Sequence, residues 1–215
     1  NKNFTKKELG LPENGFIFCC FNNNYKILPS TFDRWMRILS AVDGSVLWLL
    51  EDNIDAVKNL KKEAIKRGVS EDRLIFAKRM QLPEHLARHS HIDLFIDTFP
   101  YNAHTTASDA LWAGIPILTL AGESFASRVA SSLLNALDLP ELISNSTNEY
   151  EASAIRLATN SNELKSIREK LSRNRLNSSL FDTPLFTKNL EQIYTRMYLR
   201  HQSSCNIEHL PPSPH

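Results

Sequence analysis

The eighteen residues Asp97-Thr98-Phe99-Pro100-Tyr101-Asn102-Ala103-His104-Thr105-Thr106-Ala107-Ser108-Asp109-Ala110-Leu111-Trp112-Ala113-Gly114 hold the densest set of groups able to do chemistry. They run from a short apolar strand, through a polar loop, into a helical pattern. Thr105 and Thr106 are good N-cap residues. A helix opening there would aim unpaired backbone N–H groups and its positive dipole end outward, where a diphosphate could sit. Asp109 has two readings. With Thr106 it could close a capping box on the helix's own N terminus, or it could take ribose hydroxyls, as acidic groups beside phosphate sites in doubly wound folds do. His104 would be read as a structural hydrogen-bonding residue if it stood alone; its place just ahead of the helix start makes it a candidate ligand contact.

Three other segments carry candidates. Lys26 follows Asn22-Asn23-Asn24-Tyr25 directly after an apolar run. A lysine there could offset the charge that develops on a leaving nucleoside diphosphate, or could be an ordinary solvated lysine. In Pro83-Glu84-His85-Leu86-Ala87-Arg88, His85 and Arg88 share a helix face at i, i+3. An imidazole can stack on a base and a guanidinium can bond its carbonyl, but both could equally decorate a solvated helix. Gly122-Glu123-Ser124 is a turn ahead of the helix bearing Arg128.

Other chemistries lack their signatures. The sequence has no G-x-G-x-x-G fingerprint, no P-loop, no G-x-S-x-G elbow and no clustered Cys or His ligands, and Glu51-Asp52-Asn53 is a poor echo of an acidic metal-binding triplet. Twenty-five Lys and Arg stand against 24 Asp and Glu, a net charge of +1 that gives no general attraction to nucleic acid or an anionic membrane. Cys19, Cys20 and Cys205 make neither a disulfide framework nor a metal spacing, so a reducing, cytoplasmic setting is expected. No apolar run approaches the ~20 residues of a membrane span.

The elements that must position these groups can be read from periodicity. Apolar runs at Phe16 to Phe21, Val46 to Leu50, Leu74 to Phe76, Leu94 to Ile96 and Ile115 to Leu120 suit strands buried on both faces. Helical patterns alternate with them. Phe32, Trp35, Met36 and Leu39 form one apolar face; Val57, Leu60 and Ala64 a second; a short helix begins at Leu86; Val129, Leu133, Ala136 and Leu137 mark another. The alternation predicts an α/β fold with a Rossmann-like, doubly wound parallel sheet whose ligands sit beyond the carboxyl ends of the strands. Leu164, Ile167 and Leu171, then Phe186, Leu190, Ile193 and Met197, predict C-terminal helices, serving as packaging or as a return to a partner lobe. One lobe over residues 1–200 and a flexible tail over 201–215 are expected. Asn1 is not Met, and Leu9 to Asn14 reads as a linker under way, so a piece of a longer chain is expected.

Taken together, Phe21-Asn22-Asn23-Asn24-Tyr25-Lys26, Val46-Leu47-Trp48-Leu49-Leu50, His104-Thr105-Thr106 leading to Asp109-Ala110-Leu111-Trp112-Ala113-Gly114, and Gly122-Glu123-Ser124 with Ala126-Ser127-Arg128-Val129-Ala130 resemble the C-terminal catalytic lobe of the O-GlcNAc transferase family, most of all its bacterial members. The likeness runs in order from about Leu9 to about Tyr198. It implies a GT-B glycosyltransferase with an inverting mechanism, UDP-N-acetylglucosamine as donor substrate, no metal or cofactor, and protein Ser or Thr hydroxyls as acceptors. By position, the resemblance gives Lys26 the diphosphate and leaving group, with Asn23 nearby where some relatives carry glutamine. It gives His104, Thr105 and Thr106 the phosphates and sugar, Asp109 the ribose, His85 and Arg88 the uracil, and Tyr101 the sugar pocket. The family's N-terminal catalytic lobe and tetratricopeptide repeats lie outside this chain, so it is expected to bind donor without transferring sugar alone. The similar Spindly proteins suggest GDP-fucose as an alternative donor, and a nucleotide-binding or interaction module without catalysis is a further alternative.

Overall fold

The computed structural model describes residues 3–203, 209 and 210. Six strands, β1 (Ile17–Cys20), β2 (Val46–Leu50), β3 (Leu74–Ala77), β4 (Leu94–Ile96), β5 (Ile117–Leu120) and β6 (Ile143–Ser144), form a sheet in the order β3-β2-β1-β4-β5-β6, with every neighbouring pair parallel. This is the Rossmann-like arrangement expected from the alternating pattern. Because helices cover both faces, β1, β2, β4 and β5 are buried at every residue, which is why their sequences are apolar runs, interrupted only by Thr119 in β5. Strand order reverses between β1 and β4, so the connections leaving these two strands part and open a crevice at their carboxyl ends.

The crossovers are α1 (Pro29–Ala41), α2 (Ile54–Lys66), α3 (Leu82–Arg88), α4 (Thr105–Trp112) and α5 (Val129–Ala136). Phe32, Trp35, Met36 and Leu39 of α1 are all buried, as their spacing predicts. After β6 come α6 (Thr147–Thr159), α7 (Ser161–Asn177) and α8 (Thr183–Gln202). Tyr150 of α6 is buried and ties the layers together. Its hydroxyl donates to the Asp97 carbonyl (2.9 Å) and accepts from Trp35 Nε1 of α1 (3.2 Å).

Several expectations need correction. The pattern gave five strands; the sixth, Ile143–Ser144, is too short to show a period. The fifth starts at Ile117 rather than Ile115, and α3 starts at Leu82, with Pro83 accommodated in its first turn where no intrahelical N–H is needed. The last helix continues through His201 and Gln202, two residues into the expected tail; Cys205 and the remainder of that tail, apart from residues 203, 209 and 210, lie outside the described residues. Leu164, Ile167 and Leu171 of α7 are buried as packaging requires, but α8 has no buried residue, with Phe186 and Met197 exposed. Of the acidic triplet, Asp52 pairs with Arg79 (2.7 Å) and Asn53 caps α2 through the Ala56 N–H (2.8 Å). Among the described residues, no helix is long and apolar enough to cross a membrane.

Candidate functional site

The nine predicted site residues gather along the crevice in two adjoining groups. Asn23, His85, Arg88, Thr106 and Asp109 line one cleft of about 340 Å³ together with Phe21, Leu50, Arg79 and Met80. Lys26, Tyr101, His104 and Thr105 form a rim beside it, joined to the cleft by the first turn of α4. A larger cavity, about 790 Å³, lies past β5 and β6 and is lined by Gly122, Phe125, Arg128 and Asn145 among others, with none of the nine. Convergence of polar groups, rather than size, picks out the smaller cleft as the site.

The rim is built across the switch point. A 3-10 turn, Asn24–Lys26, follows β1 and brings Lys26 Nζ to the carbonyl of Asn102 (2.9 Å), in the loop after β4, and over the Tyr101 ring at 3.7 Å from its centroid. Lys26 is therefore a partly buried lysine bridging two loops, not a solvated one. Burial lowers its pKa, and the nearby Tyr25, Asp97 and Cys20 work to raise it. The His104 ring lies 5.2 Å from Tyr101 and 6.1 Å from Phe125, and its buried Nε2 has no hydrogen-bond partner among the described residues.

The start of α4 differs in detail from the sequence reading. His104, not Thr105 or Thr106, occupies the N-cap position, and it makes no side-chain cap. The capping box between Thr106 and Asp109 is absent because Thr106 already lies within the helix, and its hydroxyl donates to Asn22 Oδ1 (2.5 Å). The backbone N–H groups of Thr105 and Thr106 consequently have no partner among the described residues, leaving the helix's positive end open. The Asp109 carboxylate lines the cleft with no hydrogen-bond or ion-pair partner among the described residues, and its partial burial raises its pKa. A half-buried carboxylate beside two free N–H donors suits a ligand that carries hydroxyls next to an anion.

In the cleft, Arg88 is fully buried rather than decorating a solvated helix. Its guanidinium lies against Phe21 (4.3 Å), donates through Nη1 to the Lys78 carbonyl (2.7 Å) and contacts His85 Nδ1 through Nη2 (2.5 Å). A guanidinium has only donors, so His85 Nδ1 must accept and the ring proton must sit on Nε2. Burial, with help from His89, Arg88 and Arg79, pushes the His85 pKa down to about 3. His89 behind it donates Nδ1 to the His85 carbonyl (2.7 Å) and is lowered to about 4, again chiefly by burial. Both rings are neutral at neutral pH.

Two participants escaped the sequence reading. Arg79, after β3, lines the cleft and donates to Asn23 Oδ1 (3.0 Å), but a lone exposed arginine carries no spacing signal. Asp97 lies under the crevice floor; an acidic residue closing an otherwise apolar strand was the available clue. Gly122 is required where it stands, since a Cβ there would lie 2.5 Å from Ser127 Oγ and 2.9 Å from Phe99 Cε2.

A parallel sheet wound in both directions, with a lysine and an open helix N terminus meeting at its switch point, defines a Rossmann-type α/β lobe with a polar crevice at the carboxyl ends of its strands. The chain belongs to glycosyl transferase family 41, whose family model matches residues 3–190. It is 37% identical over 206 residues, 96% of the chain, to a UDP-N-acetylglucosamine–peptide N-acetylglucosaminyltransferase of Caenorhabditis elegans. It is 40% identical over 205 residues, 95% of the chain, to SEC of Arabidopsis thaliana, a probable enzyme of the same name. The chain spans 18% and 21% of the lengths of these two relatives. Among solved structures, a mutant of the Thermobaculum terrenum O-GlcNAc transferase matches with a TM-score of 0.81 and 36% identity, covering 87% of this chain and 37% of that one. The sheet is that of the C-terminal lobe of a GT-B glycosyltransferase, as the motifs implied.

Proposed function

We propose that this chain is the donor-binding lobe of a protein O-GlcNAc transferase that takes UDP-N-acetylglucosamine and glycosylates Ser or Thr hydroxyls by an inverting, metal-independent route. The observation that carries the reading is the meeting of Lys26 with the loop leading to the open first turn of α4 across the β1/β4 switch point. Members of the family with that donor in their names support it.

In this reading the diphosphate lies between the Lys26 ammonium and the free N–H groups of Thr105 and Thr106, near His104. The uracil enters the cleft against His85 and Arg88 while Asp109 takes the ribose hydroxyls, Asn23 borders the diphosphate, and Tyr101 borders the sugar. An acceptor oxygen attacks the anomeric carbon from the face opposite the diphosphate, the bond from that carbon to the β-phosphate oxygen breaks, and its electron pair leaves with UDP. Lys26 and the helix end stabilise the charge that builds on the leaving oxygen. The acceptor's proton goes to a base outside this lobe. Transfer therefore requires the N-terminal lobe, and acceptors are presented by tetratricopeptide repeats of the parent protein.

Calorimetric titration of UDP and GDP into the chain, repeated with Asp109→Ala, tests the donor assignment. UDP should bind in preference to GDP, and Asp109→Ala should weaken it about tenfold, as expected for lost hydrogen bonds to a charged group. Preference for GDP would move the donor to a sugar such as GDP-fucose, and no heat from either nucleotide would remove the nucleotide-binding reading. With the N-terminal lobe restored, equal turnover by the wild type and Lys26→Ala would remove Lys26 from the mechanism.

A further inference from the structure

Asp97 follows β4 directly, its side chain enclosed under the crevice with no ion-pair partner among the described residues. Its Oδ1 accepts three N–H groups: Asn22 Nδ2 (3.2 Å), the Thr98 amide (2.8 Å) and the Ala103 amide (2.7 Å). Oδ2 accepts the Thr119 hydroxyl from β5 (2.8 Å). The Asn22 amide also donates to Thr98 Oγ1 (2.7 Å), and Asn22 Oδ1 receives Thr106 from the first turn of α4. Between the two amides bound to Oδ1 runs the loop whose Asn102 carbonyl receives Lys26. That loop is closed further by Asn102 Nδ2 on the Thr98 carbonyl (2.8 Å).

We propose that Asp97 is a positioning residue of the donor site, its carboxylate gathering the loop from Thr98 to Ala103 so that Asn102 holds Lys26 and the first turn of α4 faces the crevice. The inference rests on the donor-binding reading above. It makes the shape of the carboxylate essential and its charge dispensable. The three groups on Oδ1 are N–H donors that cannot reverse, whereas Thr119 on Oδ2 is a hydroxyl that can accept as readily as donate. A proton on Oδ2, or the amide nitrogen of an asparagine in its place, leaves every contact made. Burial raises the carboxyl pKa to about 6, so the charge is held at a cost to the fold beside a site that takes anions. The titratable groups around it are Lys26 from the 3-10 turn, Cys20 at the end of β1 and Tyr150 from α6.

The test compares Asp97→Ala and Asp97→Asn by amide hydrogen exchange and by UDP calorimetry. Asp97→Ala leaves the Thr98 and Ala103 amides without their acceptor. Exchange over residues 98–108 should accelerate by about tenfold or more while residues 46–50 keep their protection, and UDP binding should weaken by at least about tenfold. Asp97→Asn should stay within about threefold of the wild type in both readouts. Wild-type exchange and affinity in Asp97→Ala would overturn the proposal, as would an Asp97→Asn variant as impaired as Asp97→Ala, since charge rather than shape would then matter. If Asp97→Ala does not fold, Asn22→Ala, which cuts the side-chain links from Asn22 to Asp97, Thr98 and Thr106 but leaves the carboxylate in place, should speed exchange of the Ala107 and Ser108 amides, which bond the His104 carbonyl, and unchanged exchange there would overturn the proposal equally. The exchange readout needs no nucleotide, so a wild-type chain that binds neither UDP nor GDP would sink the donor reading while exchange still decided the role of Asp97.

Discussion

Replacing His89 by glutamine should make the protein less sensitive to acid. His89 is 1% exposed, bonded at Nδ1 to the His85 carbonyl, and its buried Nε2 has no hydrogen-bond partner among the described residues. Burial depresses its pKa from 6.5 to about 4 in the folded protein. A depressed folded value means that the unfolded chain takes up the proton first. The stability His89 contributes is present above pH 6.5 and is lost as the pH falls toward 4. At 1.36 kcal/mol per pH unit, the whole interval amounts to roughly 3 kcal/mol, and the part between pH 6.5 and 5 to about 2 kcal/mol. Asp97 works in the opposite direction: its folded pKa is raised from 3.8 to about 6, so its contribution is present at low pH and lost as pH rises through that range. The two partly cancel in the wild type. Comparing wild type with His89→Gln cancels the Asp97 contribution and isolates the histidine. Urea unfolding followed by circular dichroism at pH 7 and pH 5 should show the wild type losing about 2 kcal/mol more than His89→Gln across that interval. Parallel losses in the two proteins would refute the claim that His89 is held neutral by burial.

Tyr150→Phe removes the acceptor of the buried Trp35 N–H and the donor to the Asp97 carbonyl, and should cost about 1–3 kcal/mol, read as a lowered urea midpoint with an unchanged slope. Gly122→Ala drives a methyl group into Ser127 and Phe99; an overpacking cost of about 1–3 kcal/mol should lower Tm by several degrees in a thermal scan. Lys26→Ala should weaken UDP about 10–100-fold by calorimetry, the worth of about 1.5–3 kcal/mol for a hydrogen bond to a charged group.

The α1 face of Phe32, Trp35, Met36 and Leu39 was legible because a half-buried helix imposes its own period on the sequence. The principal strands were legible because burial on both faces leaves them apolar almost throughout, Thr119 of β5 being the polar exception. From there, placing the candidates just after strands followed from the rule for doubly wound sheets, and Lys26 and His104 do lie at carboxyl ends. The rest depended on contacts that periodicity does not encode. Asn22 and Asp97 are 75 residues apart and meet only because the strand order reverses between β1 and β4. Thr106 could bond its own helix or Asn22, and local spacing favours the helix; the tertiary partner won. For Arg88 the sequence left a ligand contact and a solvated helix face equally open, because a buried arginine is rare; here its guanidinium meets a carbonyl, an imidazole and an aromatic face that the sequence does not juxtapose.

The contact between Arg88 and His85 reaches beyond packing. In the proposed donor site, an imidazole that titrated near neutral pH would gain a proton as an anionic nucleotide arrived, so that affinity would follow the pH of the surroundings. Here a permanent cation occupies one ring nitrogen, and the His85 pKa lies near 3, far below the range in which proteins operate. The ring therefore presents the same N–H at Nε2 across that range and contributes no proton to the ligand's arrival. As far as His85 is concerned, the cleft is buffered against pH: its recognition chemistry stays constant whether the medium is slightly acidic or slightly alkaline.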